Sequence, residues 1–382
     1  MRLQADGRPG GGTGRGEGPA GALADTLVAS WLGRGHVAGK GTRVAEKIIL
    51  DCDPGIDDAL AITFAVGSPD LDLRGITTVS GNVGLDLTTS NAQRVCEFIG
   101  ASGIPVTPGS PAPLLRPPVD ARDVHGKTGL GGARLPPPES RPSGGHAIDF
   151  LIETIGAAAG EITLVATGPL TNIALAVHRE PRLVSQVKEF VIMGGSSGRG
   201  NTTPAAEFNM AVDPEAAAIV FRAGWTVIMV GLDVTRQARA TAAVRDRMRG
   251  LGALASELLL PGLEHYASDE DPLSALPGPA GNGQEDEGSA PIVADPAVHD
   301  VCAVAYVADH GLLGCLPARV EVETTGRWTS GMTVTDFRAR AAERNALVAT
   351  AIDVQGFWDR VIGAYTNAAA AMNAGTRRAP GR

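Results

Sequence analysis

Four carboxylates lie within eight residues of the chain, in the segment DCDPGIDD at residues 51–58. They are Asp51, Asp53, Asp57 and Asp58, and they directly follow the apolar run KIIL at residues 47–50. Like charges at this spacing repel one another unless a cation or hydrogen bonds hold them. Carboxylate oxygens are the ligands that Ca²⁺ and Mg²⁺ prefer. The segment therefore predicts a divalent cation site directly after a buried strand.

Simpler or better-known acidic motifs fit this segment less well. Asp57 and Asp58 could simply favour the positive N-terminal end of a helix, but this leaves Asp51 and Asp53 unexplained. An EF-hand loop needs an acidic residue at its fifth position, glycine at its sixth and glutamate at its twelfth. Counted from Asp51, these positions hold Gly55, Ile56 and Ile62, so the segment is not an EF-hand. An Asp-based phosphatase also places an Asp-x-Asp motif after a strand. Pro54-Gly55 and the scarcity of lysine count against it but leave it as an open alternative.

Further polar clusters occur where predicted strands end, and one opens a predicted helix. Any one of them could be an ordinary turn or helix cap, since Asn, Gly and Thr are common in both. Their repeated position favours a shared site, because ligands bind at the carboxyl ends of strands in open α/β sheets. In chain order the clusters are Gly81-Asn82-Val83, Val124-His125-Gly126, residues 166–172, Met193-Gly194-Gly195, Asn201, Glu207-Phe208-Asn209 and His299-Asp300.

The elements that must position these residues alternate between short β-branched runs and helical stretches. Such alternation is typical of βαβ units, so we predict an α/β fold with a single open, mostly parallel twisted sheet and helices on both faces. Strands are predicted at residues 47–50, 71–79, 104–107, 162–166, 187–193, 226–230, 319–323, 332–337 and 346–352. Helices are predicted at residues 57–66, 87–99, 147–159, 170–178, 214–223, 241–267, 298–310 and 357–372.

We expect one large domain at residues 45–374, with long loops at residues 108–145 and 268–294. Residues 1–44 are rich in Gly, Arg and Ala and carry few apolar side chains. Because they cannot bury enough surface to offset the entropy of ordering, a disordered tail is predicted there. A start site assigned too early is the alternative interpretation of this segment. A short C-terminal tail is predicted at residues 375–382.

The composition argues against several classes of function. A net charge of −9 disfavours broad binding to nucleic acid. No apolar run approaches the roughly 20 residues of a membrane span, so no membrane association is predicted. Four scattered cysteines without a CxxC pair argue against a disulfide framework or a thiolate metal site. Since no signal-peptide pattern is present, we predict a cytoplasmic protein.

Five ordered motifs make the sequence between Lys47 and Ala368 resemble the inosine–uridine preferring nucleoside hydrolase family. The segment at residues 51–58 matches the signature DxDPGxDD, and the other four follow in order and spacing: TGPLTN at residues 167–172, residues 193–195, residues 207–209 and His299-Asp300. The resemblance implies an open α/β sheet related to the dinucleotide-binding fold, assembled as a homodimer or homotetramer. It implies hydrolysis of the N-glycosidic bond of ribonucleosides, which are small-molecule substrates, to free base and ribose.

The resemblance also implies a cofactor and a catalytic base. In the family Ca²⁺ is held by residues that match Asp53, Asp58, Asp300 and the backbone carbonyl of Thr167. Asp53 matches the general base that takes a proton from the attacking water. A carboxylate that touches both the cation and the water can do this at short range.

The remaining site residues are assigned to the sugar and the base. Imidazoles titrate near neutral pH, so His299 is predicted to protonate the departing base, and the sequence leaves His125 open as the alternative acid. Phe208 is expected to stack on the base, with Tyr266 as a second candidate. Glu207 and Asn209 are expected to share one face of an extended segment. The resemblance implies Asp57 and Asn82 at the ribose hydroxyls, Asn201, Glu207 and Asn209 at the 5′ side, Met193 beneath the ring, His125 and His299 near the base, and Asp300 at the substrate as well as the metal.

Two functions from other classes stay open beside the hydrolase. One is a catalytically weak nucleoside- or ribose-binding protein on the same fold, and the other is the Asp-based phosphatase. The sequence does not name the preferred base. Trp225 and Trp328 fall in or beside predicted strands, so we assign both to the core.

Overall fold

The computed structural model describes residues 44–267 and 295–376. Its centre is a nine-stranded sheet with the order β3-β2-β1-β4-β5-β6-β9-β7-β8. The strands from β3 to β9 in this order run parallel, whereas β7 is antiparallel to both β9 and β8. The strands are β1 (Glu46–Cys52), β2 (Leu71–Thr78), β3 (Val106–Pro108), β4 (Ile162–Ala166), β5 (Glu189–Met193), β6 (Val227–Val230), β7 (Leu313–Val322), β8 (Thr333–Asp336) and β9 (Ala346–Ile352).

Helices cover both faces of the sheet, as the side chains of β1 illustrate. The α-helices are α1 (Ile56–Gly67), α2 (Leu85–Phe98), α3 (Arg122–His125), α4 (Ala147–Ala157), α5 (Thr171–Arg179), α6 (Leu183–Gln186), α7 (Phe208–Val212), α8 (Pro214–Phe221), α9 (Leu232–Thr235), α10 (Ala242–Arg249), α11 (Leu260–Ala267), α12 (Asp300–Ala308) and α13 (Val354–Thr376). Ile48 and Leu50 pack into one apolar cluster with α1, α2, α12 and α13, whereas Ile49 packs into a second with α4, α5 and α8.

The predicted fold class is confirmed: the sheet is open and mostly parallel, with helices on both faces. Consecutive apolar residues in a strand identify burial on both faces, which is why strands such as β1 and β4 were identifiable from sequence. Between β1 and β4 the strand order reverses, so the connections after these strands leave in opposite directions. Such a switch point opens a crevice at the carboxyl ends of the strands.

Several predicted elements differ from the structure. The strand predicted at residues 319–323 begins six residues earlier, at Leu313, because this segment pairs with β9 before it pairs with β8. The helical stretch at residues 241–267 consists of α10, a π-helical segment at Leu254–Leu259, and α11. The predicted loop at residues 108–145 contains α3. Short helices of four or five residues carry too few apolar repeats to be detected by periodicity.

The two tryptophans assigned to the core have different environments. Trp225 is buried and stacks on Phe190, with ring centroids 4.3 Å apart. Trp328 is 77% exposed, so its assignment to the core was wrong. It lies in the connection between β7 and β8, beyond the last residue of β7, where the pattern of inward-facing side chains has ended.

Some predictions concern residues outside the described ranges. These are the N-terminal tail up to residue 43, the loop at 268–294, and residues 377–382 of the C-terminal tail. The described part of that tail, residues 375 and 376, is the end of α13. None of the helices within 44–267 and 295–376 combines the length and apolar character needed to cross a membrane.

Close contact between α1 and α13 gives a test of the packing. Gly67→Ala should destabilise the protein by about 1–3 kcal/mol, since the new Cβ would overlap the carbonyl oxygen of Ala364. The matched substitution Gly363→Ala lies within α13 and meets nothing within 4 Å. It should raise stability by up to about 1 kcal/mol, because alanine favours helix. Denaturant unfolding of both variants measures this, and equal effects would contradict the described packing.

Candidate active site

A pocket lies at the carboxyl ends of the central strands, where the switch point predicts a ligand site. Every predicted site residue except Asp53 and Asp58 lines it, although these residues come from widely separated segments of the chain. Ala121, Val124 and Tyr266 complete the lining. Ala121 and Val124 have no polar signature that sequence reasoning could have used. The lining residues are Asp57, Asn82, Ala121, Val124, His125, Thr167, Met193, Asn201, Glu207, Phe208, Asn209, Tyr266, His299 and Asp300.

The acidic floor of the pocket is built from two helix starts. Asp57 and Asp58 occupy the first turn of α1, and Asp300 is the first residue of α12. Oxygen atoms of these three carboxylates lie within 4.8 Å of one another. Asp53 lies in the turn between β1 and α1 and is fully buried. Asp53, which the resemblance assigns to the metal, is not in this group, and Asp57 takes its place there.

Burial opposes the charge on all four carboxyl groups. It raises the pKa of Asp53 and of Asp300 well above the usual range, and neighbouring carboxylates add to both shifts. The same causes raise the pKa of Asp57 to about 7, and burial also raises the pKa of Asp58. A divalent cation would supply the positive charge that such a cluster lacks. The residues fit one, because all four offer the oxygen ligands that such cations prefer.

Hydrogen bonds hold the carboxylates in place. The Asn82 backbone N–H donates to Asp53 Oδ2 at 2.6 Å, and its side-chain amide donates to Asp58 Oδ2 at 3.1 Å. The Thr167 hydroxyl donates to Asp58 Oδ1 at 2.9 Å. Among the described residues, Asp53 Oδ1 is a buried atom without a hydrogen-bond partner. That oxygen is the one on Asp53 that remains able to accept a proton or bind a cation.

The first aspartate of the acidic segment has a different role from the others. Asp51 is fully buried, and its Oδ1 accepts hydrogen bonds from the side chains of Thr77 and Asn172. Its backbone carbonyl accepts the Thr167 N–H at 2.8 Å. Asp51 therefore ties the end of β1 to β2 and to the segment after β4. This contact and the bond from the Thr167 hydroxyl to Asp58 place Thr167 beside the acidic turn.

On the opposite side, Glu207 and Asn209 line the pocket, but not from an extended segment as predicted. Glu207 is the N-cap of α7, and its carboxylate accepts the N–H groups of Asn209 and Met210. Asn209 reaches the pocket from the first turn of that helix, so the prediction of an extended segment was wrong. A glutamate cap is unusual, because Asp, Asn, Ser and Thr are the common N-cap residues. The sequence around Glu207 therefore does not predict the start of a helix.

The amide of Asn209 links three segments of the site. Its Nδ2 donates to the Thr167 carbonyl at 2.8 Å and to the Met193 carbonyl at 3.1 Å. Glu207 also accepts the Gly195 N–H at 2.9 Å. These bonds join the ends of β4 and β5 to α7, and burial raises the pKa of Glu207.

The two residues nearest the outer edge of this side are Asn201 and Phe208. Asn201 is exposed, and its side-chain oxygen accepts the Phe208 N–H at 3.0 Å. This bond ties the loop that carries Asn201 to the start of α7. Both side chains line the pocket.

Two imidazoles and a phenol ring form the remaining wall. His125 Nδ1 accepts the backbone N–H of Ile56 at 3.1 Å, and burial lowers the pKa of His125 to about 3. His299 Nδ1 lies 2.8 Å from the Thr235 hydroxyl, and burial with two nearby arginines lowers its pKa to about 4. The Tyr266 ring lies 5.5 Å from the His125 ring and 6.4 Å from the His299 ring, measured between centroids. Burial therefore favours the neutral form of both imidazoles, so neither keeps the near-neutral pKa on which the prediction of His299 as the acid relied.

The sequence matches a known protein family along most of its length. The model of the family described as "Inosine-uridine preferring nucleoside hydrolase" matches residues 48–359. The chain is 44% identical over 321 residues to a protein of that name from Leishmania major, covering 83% of this chain and 96% of that one. It is 40% identical to the pyrimidine-specific ribonucleoside hydrolase RihA of Salmonella arizonae, covering 83% and 97% of the two chains.

The fold is also similar to that of a solved structure. The purine-preferring ribonucleoside hydrolase from Gardnerella vaginalis superposes with a TM-score of 0.75 at 30% identity, covering 85% of this chain and 99% of that one. The match to the family model covers most of the chain and includes each segment that lines the pocket. The chain belongs to the inosine-uridine preferring nucleoside hydrolase family, whose members are N-glycosyl hydrolases.

Proposed function

We propose that the protein hydrolyses the N-glycosidic bond of ribonucleosides with a water molecule activated by Asp53 and with Ca²⁺ in the acidic floor. One observation carries the proposal: a pocket at the switch point is lined by Asp57 and Asp300, which belong to a group of four buried carboxylates, and by amide, carboxylate and aromatic side chains on its other walls. The carboxylates can bind a cation and the sugar hydroxyls. The other side chains can bind the sugar and its base. Asp58, Asp300, Asp53 and the Thr167 carbonyl are the proposed ligands of the cation.

The reaction requires a proton acceptor and groups that stabilise positive charge on the sugar. Cleavage of an N-glycosidic bond passes through a ribosyl cation, so it needs a positioned water and a stabilised cation. Asp53 Oδ1 is the proposed proton acceptor, because Asn82 holds Oδ2 and leaves Oδ1 unbonded among the described residues. When bound, Ca²⁺ would neutralise the carboxylates and lower the pKa of a water molecule in contact with it. The buried negative groups favour the ribosyl cation electrostatically.

The sugar would be held between the two polar sides of the pocket. Asp57 and Asn82 are proposed for the ribose hydroxyls, and Asp57 shares the acidic floor with Asp300, which is proposed to contact the substrate as well as the cation. The network that joins Asn209 to Thr167 and Met193 fixes the opposite side. The groups proposed there are Asn201, Glu207 and Asn209 for the 5′ side and Met193 beneath the ring.

The base would lie against the aromatic part of the pocket. Phe208 and Tyr266 offer flat faces on which a base could stack. His125 and His299 line the same region, because the Tyr266 ring contacts both imidazoles. We therefore place the base between the start of α7 and the two histidines.

A panel of nucleosides tests the proposal and identifies the base. The relatives include a pyrimidine-specific and a purine-preferring enzyme, so the panel contains both classes of base. Purified protein should release free base and reducing sugar from at least one of inosine, guanosine, adenosine, uridine and cytidine. Stabilisation by a nucleoside without sugar release would favour a binding protein. Hydrolysis of a phosphate ester with Mg²⁺ and no effect on nucleosides would favour the phosphatase.

The role of His299 gives a sharper prediction. We assign the Thr235 hydroxyl as the donor to His299 Nδ1, and this tautomer of the neutral imidazole carries its hydrogen on Nε2, which can donate to a departing base. His299→Ala should therefore lower kcat for inosine and uridine by about 10²-fold or more. His178→Ala, an exposed position on α5, is the matched control and should retain wild-type kcat. Unchanged turnover of both nucleosides by His299→Ala would contradict the role.

The assembly and the location of the protein also remain proposals. We propose a homodimer or homotetramer in the cytoplasm, acting on small molecules and not on nucleic acid. Light scattering coupled to size-exclusion chromatography measures the assembly. A monomer at micromolar concentration would contradict it.

A further inference from the structure

Asn91, a fully buried residue of α2, connects two segments of the active site that are distant in the sequence. Its side-chain Nδ2 donates to the Pro54 carbonyl at 3.0 Å and to the Thr128 carbonyl at 2.8 Å. Because both partners are carbonyl oxygens, only the NH₂ end of the amide can face them. Each of its two hydrogens is therefore used by a different segment.

Each of the two carbonyls belongs to a functional segment of the pocket. Pro54 lies in the turn that carries Asp53, directly before the first turn of α1 with its acidic residues. Thr128 lies three residues after His125, in the loop that continues from α3. A second bond joins the same two segments, from the Ile56 N–H to His125 Nδ1. The acidic turn and the His125 wall are thus held at two points.

The side-chain amide of Asn91 lowers the stability of the folded protein in one respect, which an apolar side chain of the same size would avoid. Within the described ranges, Asn91 Oδ1 is buried without a hydrogen-bond partner. A buried oxygen left unbonded is unfavourable; leucine would fill a similar volume without such an oxygen, but it would leave the Pro54 and Thr128 carbonyls without this donor. Residues that break such a local rule at a cost in stability are expected at functional sites. The gain here is the pair of bonds to the pocket segments.

The loop approaches Asn91 very closely. Gly129 has a φ of +89°, and a Cβ added there would lie 2.8 Å from Asn91 Nδ2 and 3.3 Å from the Pro54 carbonyl oxygen. Only glycine adopts this backbone conformation without strain. Gly129 therefore lets the loop reach the amide and the turn together. A substitution at Gly129 would disturb the same contact from the opposite side.

We propose that Asn91 is a positioning residue that fixes the acidic turn at Asp53 relative to the pocket wall that carries His125. The proposal rests on the proposed function, since it assigns Asn91 to the alignment of the groups that attack the sugar and contact the base. Without the amide, both carbonyls lose their donor and the two segments can separate. Displacement of reacting groups by about 1 Å can cost about 10²-fold in rate.

The test compares two single variants and their double variant. Asn91→Ala and Gly129→Ala should each lower kcat on the best nucleoside by about 10- to 100-fold, with a smaller change in KM. The double variant should be no slower than the slower single variant, because both changes break one contact.

Gln93→Ala is the matched control. Gln93 also lies in α2, and its side chain donates to Ser140 of the same long loop, but neither residue lines the pocket. The variant should keep kcat within about two-fold of wild type. Combined with Asn91→Ala, its effect should be additive, because the two amides share no partner.

A second readout does not depend on activity. Amide hydrogen exchange should increase together in residues 53–58 and 125–131 of Asn91→Ala, and not in Gln93→Ala. Wild-type kcat in Asn91→Ala, full additivity with Gly129→Ala, or unchanged exchange in both segments would overturn the proposal. If the wild-type protein releases no base from any nucleoside, the proposed function fails, and the exchange experiment still decides whether Asn91 joins the two segments. If Asn91→Ala does not fold, Gly129→Ala carries the same comparison.

Discussion

Asp53→Asn should lower kcat for nucleoside hydrolysis by about 10³-fold while the protein stays folded. The amide cannot take a proton from water, and a general base contributes about 10²- to 10⁴-fold. The substitution keeps the shape of the side chain, and its remaining oxygen can still accept the Asn82 N–H that now bonds Asp53 Oδ2. Release of free base from the best nucleoside measures the effect, and thermal unfolding checks the fold.

A second buried aspartate supplies the control for this result. Asp213 is the N-cap of α8 and accepts hydrogen bonds from the Leu114 and Ala216 N–H groups and the Thr171 hydroxyl. It does not line the pocket. Asp213→Asn should lower stability by about 1 kcal/mol and leave kcat within about two-fold. Turnover close to wild type in Asp53→Asn would show that Asp53 is not the base.

Removal of divalent cations should abolish turnover and lower the melting temperature, and Ca²⁺ should restore both. Without a cation, the four buried carboxyl groups repel one another or take up protons, as their raised pKa values indicate. A ligand that binds only the folded state stabilises it by about 2.7 kcal/mol at 100 times its dissociation constant. Thermal unfolding of chelator-treated protein, with and without added Ca²⁺, measures this directly. A chelator that leaves turnover unchanged would remove the cation from the mechanism.

Variants of the acidic floor separate two possible ligand sets. The geometry groups Asp57 with Asp58 and Asp300, whereas the family resemblance places Asp53 there. Asp58→Asn and Asp300→Asn should lose the Ca²⁺-induced rise in melting temperature under either set. Asp53→Asn and Asp57→Asn should differ in their Ca²⁺-induced rise in melting temperature. The rise should be smaller in the variant whose aspartate is a ligand of the cation. A full rise in all four variants would exclude a cation at this cluster.

Local spacing was enough to predict the acidic turn and the fold class. Asp53, Asp57 and Asp58 lie within six residues, so the chain itself brings them together, whatever the rest of the molecule does. Apolar runs of four or five residues, as in β1 and β4, identify strands covered on both faces and therefore a parallel sheet. The position of polar clusters after strands predicts their meeting at one edge, because parallel strands end on the same side.

Other local features could not be predicted from the sequence pattern. The helix start at Glu207 lacks a common cap residue, so its sequence resembles an extended segment. The early start of β7 depends on its antiparallel pairing with β9, which joins positions as distant as Leu313 and Ile352. The exposure of Trp328 depends on where the β7–β8 connection lies, and a tryptophan by itself favours burial.

The sequence by itself determined the fold class, the acidic turn after β1 and the family to which its motifs belong. Only the tertiary structure decided which partners these groups have: Asn82 at Asp53, Thr167 at Asp58, Asp300 beside Asp57, and Asn91 between Pro54 and Thr128. Strand and helix propensities act over a few residues, whereas burial, pKa and hydrogen-bond geometry depend on groups that the fold brings together from distant parts of the chain.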